Sequence, residues 1–222
     1  MFTQNISFKN FLTKNKNILV KKKLNLILKE KNQVISSLSK SYKDSFSKKN
    51  IKHFNKEFDY RIIGMGGSTL GAQAIYDFLK KKIKKNFIFI DNLNAFKNNK
   101  EKKNFNNLII SKSGNTTETI INANILIKKK DKNLIITEKK KSYLSLLAKK
   151  LKAEVVDHND YIGGRFSVLS EVGMLPAELM GLNYKNFRQL NNLVKNKSFM
   201  KALVSNVEAT IYFLNTKKFK TF

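Results

Sequence analysis

The chain has 222 residues, 41% of them hydrophobic and 11% aromatic, which is enough to bury one large core and too apolar for a disordered polypeptide. It has no cysteine and one proline, so a disulfide framework and a thiolate metal site are excluded and a reducing compartment is acceptable. The formal charge of +28 would ordinarily point to nucleic acid or an anionic membrane. The excess, however, is Lys scattered along the whole chain among abundant Asn, Ile and Phe, the residues that adenine- and thymine-rich codons specify.

Such scatter reads as mutational bias on solvated faces, and neither nucleic acid nor membrane is expected as a partner. Residues 1–56 are polar and Lys-rich, with apolar periodicity through Ile18, Leu19, Leu24, Leu26, Ile27 and Leu28 that predicts one or two amphipathic helices in an extension. The start, Met1-Phe-Thr-Gln-Asn-Ile-Ser, lacks the charged and apolar segments of a signal peptide, and no apolar run nears the ~20 residues of a membrane span. A cytoplasmic protein is expected.

From Tyr60 the pattern changes to short β-branched runs at 60–64, 87–91, 108–111, 134–137 and 154–157, separated by helical stretches near 69–83, 117–130 and 141–151. This alternation predicts an α/β fold, a doubly wound five-stranded parallel sheet of order 2-1-3-4-5 covered on both faces. Helices are expected again at 171–181, with Pro176 a kink, at 184–195 and at 199–214. The organisation read from this is an extension over 1–56, the sheet domain over 57–185 and a helical segment over 186–222.

Three segments carry chemistry. Gly64-Met-Gly-Gly-Ser-Thr-Leu-Gly71 follows the first strand and opens a helix, offering free amides and a helix dipole to an anion, with Ser68 a candidate N-cap as well as a ligand donor. An ordinary tight strand-to-helix turn is the alternative explanation of the glycines. The Gly-x-Gly-x-x-Gly spacing and its acidic partner are absent, so no dinucleotide cofactor is expected.

Ser111-Lys-Ser-Gly-Asn-Thr-Thr-Glu-Thr119 follows the third strand and crowds hydroxyls, a Lys and a Gly at a second strand-helix junction, a compact cradle for a monophosphate. It is not a Walker loop. Asn115 and Glu118 alone could be a helix-capping pair, which leaves Ser111, Lys112, Ser113 and Thr116 unexplained. In a 2-1-3-4-5 sheet both junctions meet where the strand order reverses. His53 and His158 read as satisfied surface or loop residues, and no His-carboxylate spacing suggests a metal.

The third segment is Asp160-Tyr-Ile-Gly-Gly-Arg-Phe-Ser-Val-Leu-Ser170, whose glycine pair lets main chain approach a ligand while Arg165 reaches an anion. In this order and spacing, over about 57–185, the three segments resemble the amino-terminal sugar isomerase (SIS) domain of the phosphoglucose isomerase family, which interconverts glucose 6-phosphate and fructose 6-phosphate. The resemblance implies that Ser111, Lys112, Ser113 and Thr116 hold the sugar phosphate of a hexose 6-phosphate. It further implies that Gly67, Ser68 and Gly164 line the sugar and that Arg165 stabilises the cis-enediol(ate). Glu118 matches an acidic position of the family. Glu171 stands where the family usually has Pro or a small residue.

In the family the proton-transferring Glu, a ring-opening His and a late Lys come from a second SIS domain for which no matching segment is found. The expectation is therefore an amino-terminal portion of such an isomerase, inactive in isolation, without a cofactor, and a homodimer at full length. A non-catalytic SIS module that binds a sugar phosphate and regulates a partner stays open as the alternative, although it has no evident need for Arg165.

Overall fold

Runs of Ile and Leu in the middle of the chain form strands because successive side chains point to opposite faces, and a sheet covered on both sides accepts apolar residues at every position. The computed structural model describes residues 18–30, 32–54, 59–93 and 105–216. Within them β1 (Asp59–Gly64), β2 (Asn86–Ile90), β3 (Asn106–Ile110), β4 (Lys132–Thr137) and β5 (Glu154–Asp157) form one all-parallel sheet of order β2-β1-β3-β4-β5. The expected doubly wound order is present, and β1 lies directly beside β3, with Tyr60 opposite Asn106 and Gly64 opposite Ile110.

The helices are α1 (Ile18–Lys29), α2 (Gln33–Ser37), α3 (Leu70–Leu79), α4 (Thr117–Leu126), α5 (Tyr143–Leu151), α6 (Glu171–Leu179), α7 (Leu190–Lys195) and α8 (Lys197–Asn215). Tyr60, Ile62, Leu108 and Ile110 share one face of the sheet with Ile75 of α3 and Leu175 of α6. Ile63, Ile109 and Ile135 share the other with Ala123 of α4 and Leu144 and Ala148 of α5. Each fully buried Ile or Leu stabilises by about 1.5–3 kcal/mol, so the two alternating rows supply most of the driving force.

The described residues fall into two compact units, one of residues up to Ser41 and from Gln189 onward, the other Tyr42–Arg188. The first holds α1, α2, α7 and α8. In it α1 and α8 enclose an apolar groove of about 430 Å³ lined by residues such as Leu24, Ile27, Leu203 and Val207. The second holds the sheet together with residues 42–54. No helix among the described residues is long and apolar enough to cross a membrane.

Several elements depart from the sequence expectation for identifiable reasons. The helix expected over 117–130 stops at Leu126, because Asp131 turns back on it and accepts the Lys128 backbone N–H at 3.0 Å. The same carboxylate, wholly buried, binds Arg61 Nη2 at 2.9 Å and Asn107 Nδ2 at 3.1 Å, and the Arg61 guanidinium lies 4.3 Å from the Phe105 ring centroid. This polar cluster sits toward the amino ends of the strands, away from the loops that follow their carboxyl ends.

The stretch 69–83 divides into α3 and a 3-10 turn, Lys80–Lys82, and 184–195 into a 3-10 turn, Tyr184–Phe187, and α7. Tyr184 is drawn into the core against Phe46, ring centroids 5.3 Å apart, and the buried Arg188 fork grips Asp44, with Nη1 2.8 Å from Oδ2. Those tertiary contacts override a helical pattern. Pro176 lies inside α6, where it withholds one backbone donor.

Candidate active site

Two loops meet at the carboxyl ends of the adjacent strands β1 and β3. After β1, Gly66–Ser68 forms a single 3-10 turn before α3. The expected N-cap role of Ser68 is not realised: the cap is Thr69, which makes no side-chain capping bond and instead donates from Oγ1 to the Gly66 carbonyl at 3.3 Å. The turn interposes one more residue than the spacing suggested. The half-buried Ser68 hydroxyl makes no hydrogen bond among the described residues.

After β3 the Ser111 hydroxyl, 2% exposed, organises the loop. It accepts the Gly114 N–H at 3.1 Å and shares hydrogen bonds with Thr116 Oγ1 at 2.9 Å and Ser113 Oγ at 3.4 Å. Gly114 has φ +67°, and a β-carbon there would stand 2.7 Å from Ser142 Cβ and 2.8 Å from Thr137 Oγ1. Only glycine fits both the dihedral and the space. The loop is fastened to its neighbours by Leu144 N–H to the Gly114 carbonyl at 3.0 Å and Glu138 N–H to the Lys112 carbonyl at 3.2 Å.

The helix that follows is left open at its start. Thr116 is the N-cap of α4 without a side-chain capping bond, and the first intrahelical bond is Ile120 N–H to the Thr116 carbonyl at 3.0 Å. The amides of residues 117–119 therefore lack a helical acceptor and form the positive end of the helix dipole. The capping-pair explanation of Asn115 and Glu118 does not hold, because Asn115 Oδ1 accepts the Tyr143 N–H at 2.9 Å and so serves α5. Thr119, also in the first turn, is buried with its hydroxyl unpaired.

Lys112 is less available than the sequence suggested. Its ammonium donates to the Asp160 carbonyl and lies 3.6 Å from Glu138 Oε1, while Lys140 pairs with the other oxygen of the same carboxylate. Burial pushes Glu138 upward, but the hydrogen bond and charge of Lys140, with the charge of Lys112, leave it below its ordinary value. His158 is buried rather than on the surface, its Nδ1 3.1 Å from the Asn159 carbonyl oxygen, and burial lowers its pKa. His53 is exposed and 3.6 Å from Glu154.

The Gly-Gly-Arg segment lies against the loop after β1. A β-carbon on Gly164 would lie 3.6 Å from Gly67 Cα, and one on Gly67 would meet Gly164 C at 2.5 Å, so the two backbones touch. Ser167, three residues on, joins them by donating to the Gly67 carbonyl at 3.0 Å and the Gly164 carbonyl at 2.8 Å. Sequence reading overlooks this serine; the signal is a hydroxyl spaced to bond back to the turn preceding it. Arg165 sits in the 3-10 helix Gly164–Leu169, exposed, with no ion pair among the described residues.

The structure thus brings Ser111, Ser113 and Thr116 together around an uncapped helix start, and Gly67 and Gly164 together at a backbone contact carrying Arg165. Lys112 links the first cluster to the segment leading into the second through the Asp160 carbonyl.

The phosphoglucose isomerase family model matches residues 13–215. A glucose-6-phosphate isomerase of Mycoplasma genitalium is 34% identical over 209 residues, covering 79% of this chain and 47% of the relative. One from Methanocaldococcus jannaschii is 32% identical over 200 residues, covering 81% and 48%. The chain thus spans about half the length of these curated relatives. A hypothetical protein of Thermus thermophilus shares the fold at TM-score 0.65 and 19% identity, over 84% of this chain and 50% of that one. With a family match across nearly all of its described length, the chain belongs to the phosphoglucose isomerase family.

Proposed function

We propose that this chain binds hexose 6-phosphates at the reversal of strand order and supplies that half of a glucose-6-phosphate isomerase site. The observation that carries the reading is the open start of α4, ringed by the Ser111, Ser113 and Thr116 hydroxyls, beside the Gly67–Gly164 contact that bears Arg165, a cation with no ion pair among the described residues. Three free amides and a helix dipole suit a phosphate. Ser68 and the glycine backbones suit the sugar, and Lys112 contributes charge from the rim while tethered to Glu138. Arg165, a permanently charged planar cation, suits oxyanion charge that develops during enolisation.

Proton transfer between carbons needs a carboxylate within hydrogen-bond reach of the carbon-bound proton. Among the described residues near the site, Glu138 is held by two lysines, Glu171 is buried with both oxygens occupied, and Glu118 lies in the first turn of α4, on the phosphate side of the proposed site. The proposal is therefore binding without turnover by this 222-residue chain, with turnover, homodimer formation and a cytoplasmic role in glycolysis belonging to the complete isomerase. Calorimetry tests it: glucose 6-phosphate and fructose 6-phosphate bind, glucose does not, and a coupled assay finds no isomerisation. Equal binding of glucose would remove the phosphate cradle. Turnover by the chain alone would direct the search for the base to Glu118, half-buried in the first turn of α4.

A further inference from the structure

Glu171 opens α6 with 1% exposure. A carboxyl group so far from water is costly unless its oxygens are used, and both are. Oε1 accepts the Asn159 backbone N–H at 3.0 Å, and Oε2 accepts the Tyr42 hydroxyl at 2.9 Å. Burial, ahead of every other influence, raises the pKa of Glu171 and also that of Tyr42. Neither group has a place in the phosphate cradle or the proton transfer.

The partners of Glu171 explain what it holds. Tyr42 is itself fixed, its ring 4.8 Å from the Arg188 guanidinium that grips Asp44, and next along the chain Ser45 donates to the Asp157 carbonyl at the end of β5. Asn159, on the other side, begins the loop that ends in Gly163-Gly164-Arg165. Its Oδ1 accepts the Tyr161 N–H at 3.0 Å and its carbonyl accepts the Ile162 N–H at 3.1 Å, while Ile162 is fully buried. The far end of the loop is held by Ser167 on Gly67 and Gly164. Between these two fastenings the Asp160 carbonyl also accepts the Lys112 ammonium, and Arg165, farther along, is exposed with no ion pair of its own among the described residues.

We infer that Glu171, held by Tyr42, is a positioning residue for Arg165: it fixes the start of the Asn159–Arg165 loop and so sets where the guanidinium meets the sugar end of a hexose 6-phosphate. The inference rests on the proposed reading of Arg165 as a substrate contact. Glutamine at 171 can still accept from Asn159 and can place its amide against the Tyr42 oxygen, so it preserves the clamp. Alanine leaves the Asn159 backbone donor unpaired and strips the Tyr42 hydroxyl of its carboxylate acceptor, leaving it only the Asn159 side chain.

Hydrogen exchange of residues 159–166 and calorimetry with glucose 6-phosphate and with inorganic phosphate, on the same proteins, provide the test. Glu171→Ala is expected to speed exchange across 159–166 by about tenfold, the effect of one lost buried hydrogen bond, and to weaken glucose 6-phosphate several-fold with inorganic phosphate unchanged. Glu171→Gln should match the wild type in both measurements. Tyr42→Phe, which removes one half-buried hydroxyl and keeps the fold, should fall between.

Faster exchange confined to 159–161 with unchanged glucose 6-phosphate affinity would overturn the inference, reducing Glu171 to a local cap. So would a glutamine variant as loose as the alanine one, or equal losses for the two ligands. A wild type that binds inorganic phosphate but not glucose 6-phosphate would instead sink the sugar-phosphate reading, and the exchange data would still decide whether Glu171 clamps the loop.

Discussion

The backbone contact between Gly67 and Gly164 is asymmetric, and the asymmetry makes a sharp prediction. A β-carbon on Gly67 would stand closest to the Gly164 carbonyl oxygen, with Gly164 C at 2.5 Å and Gly164 Cα at 2.7 Å, where ordinary contact begins at 3.4 Å, so the two backbones must part by about 1 Å. A β-carbon on Gly164 meets nothing closer than Gly67 Cα at 3.6 Å, and one on Gly163 meets nothing within 4 Å. Neither Gly67 nor Gly164 adopts a positive φ, so dihedral strain does not enter.

Gly67→Ala is therefore expected to cost about 1–3 kcal/mol through overpacking against backbone that cannot rotate away. For a unit of this size that lowers the melting temperature by roughly 3–10 °C. Gly164→Ala and Gly163→Ala should stay within about 0.5 kcal/mol of the wild type. Thermal unfolding followed by circular dichroism, at fixed phosphate concentration, measures all three. A Gly67→Ala protein that melts with the wild type, or a Gly164→Ala protein that loses as much as it does, would refute the contact.

Thr116→Val removes a hydroxyl from the cradle and should weaken inorganic phosphate about tenfold, the value of one hydrogen bond to a charged group, whereas Lys112→Met, whose ammonium is already shared by Glu138 and the Asp160 carbonyl, should cost less; calorimetry ranks them. Asp131→Ala removes the buried carboxylate that Arg61, Asn107 and the Phe105 and Lys128 amides share and should destabilise by about 3–5 kcal/mol, read by urea unfolding. Burial holds His158 below its ordinary pKa of 6.5, so the folded state binds fewer protons than the unfolded state there. Its contribution to stability is complete above pH 6.5 and is lost as pH falls through 6.5 toward the folded value. His158→Gln should flatten the pH dependence of the melting temperature in that window.

Much of this architecture is legible in the sequence because it rests on short-range pattern. Ile62 and Leu108 alternate with Ile63 and Ile109 at period two, the hydroxyl-rich run at 111–119 sits just after such a strand, and the topology then forces the loops after β1 and β3 together. What escapes depends on partners distant in sequence. The Ile127-Lys-Lys-Lys130 run has good helix propensity, yet α4 ends before it because Asp131 is committed to Arg61, 70 residues earlier. Asn115 reads as a cap for the helix beside it and instead serves α5, 28 residues on. Glu171 reads as an oddity at a helix start, and its partner Tyr42 is 129 residues away. Lys112 has the right charge for a phosphate ligand, but no local pattern reveals that Glu138 and the Asp160 carbonyl already hold it.

If phosphate and sugar are held by two separate loops at the strand-order reversal, the backbone amide resonances of the isotope-labelled chain will separate them on titration. Inorganic phosphate should shift the amides of residues 113–119 alone, and glucose 6-phosphate should shift those together with residues 163–166. Shifts by glucose 6-phosphate spread over the Lys-rich surface of α1 and the 3-10 turn at Lys80–Lys82, with 113–119 unmoved, would rule out the two-loop site and leave net charge as the source of anion binding.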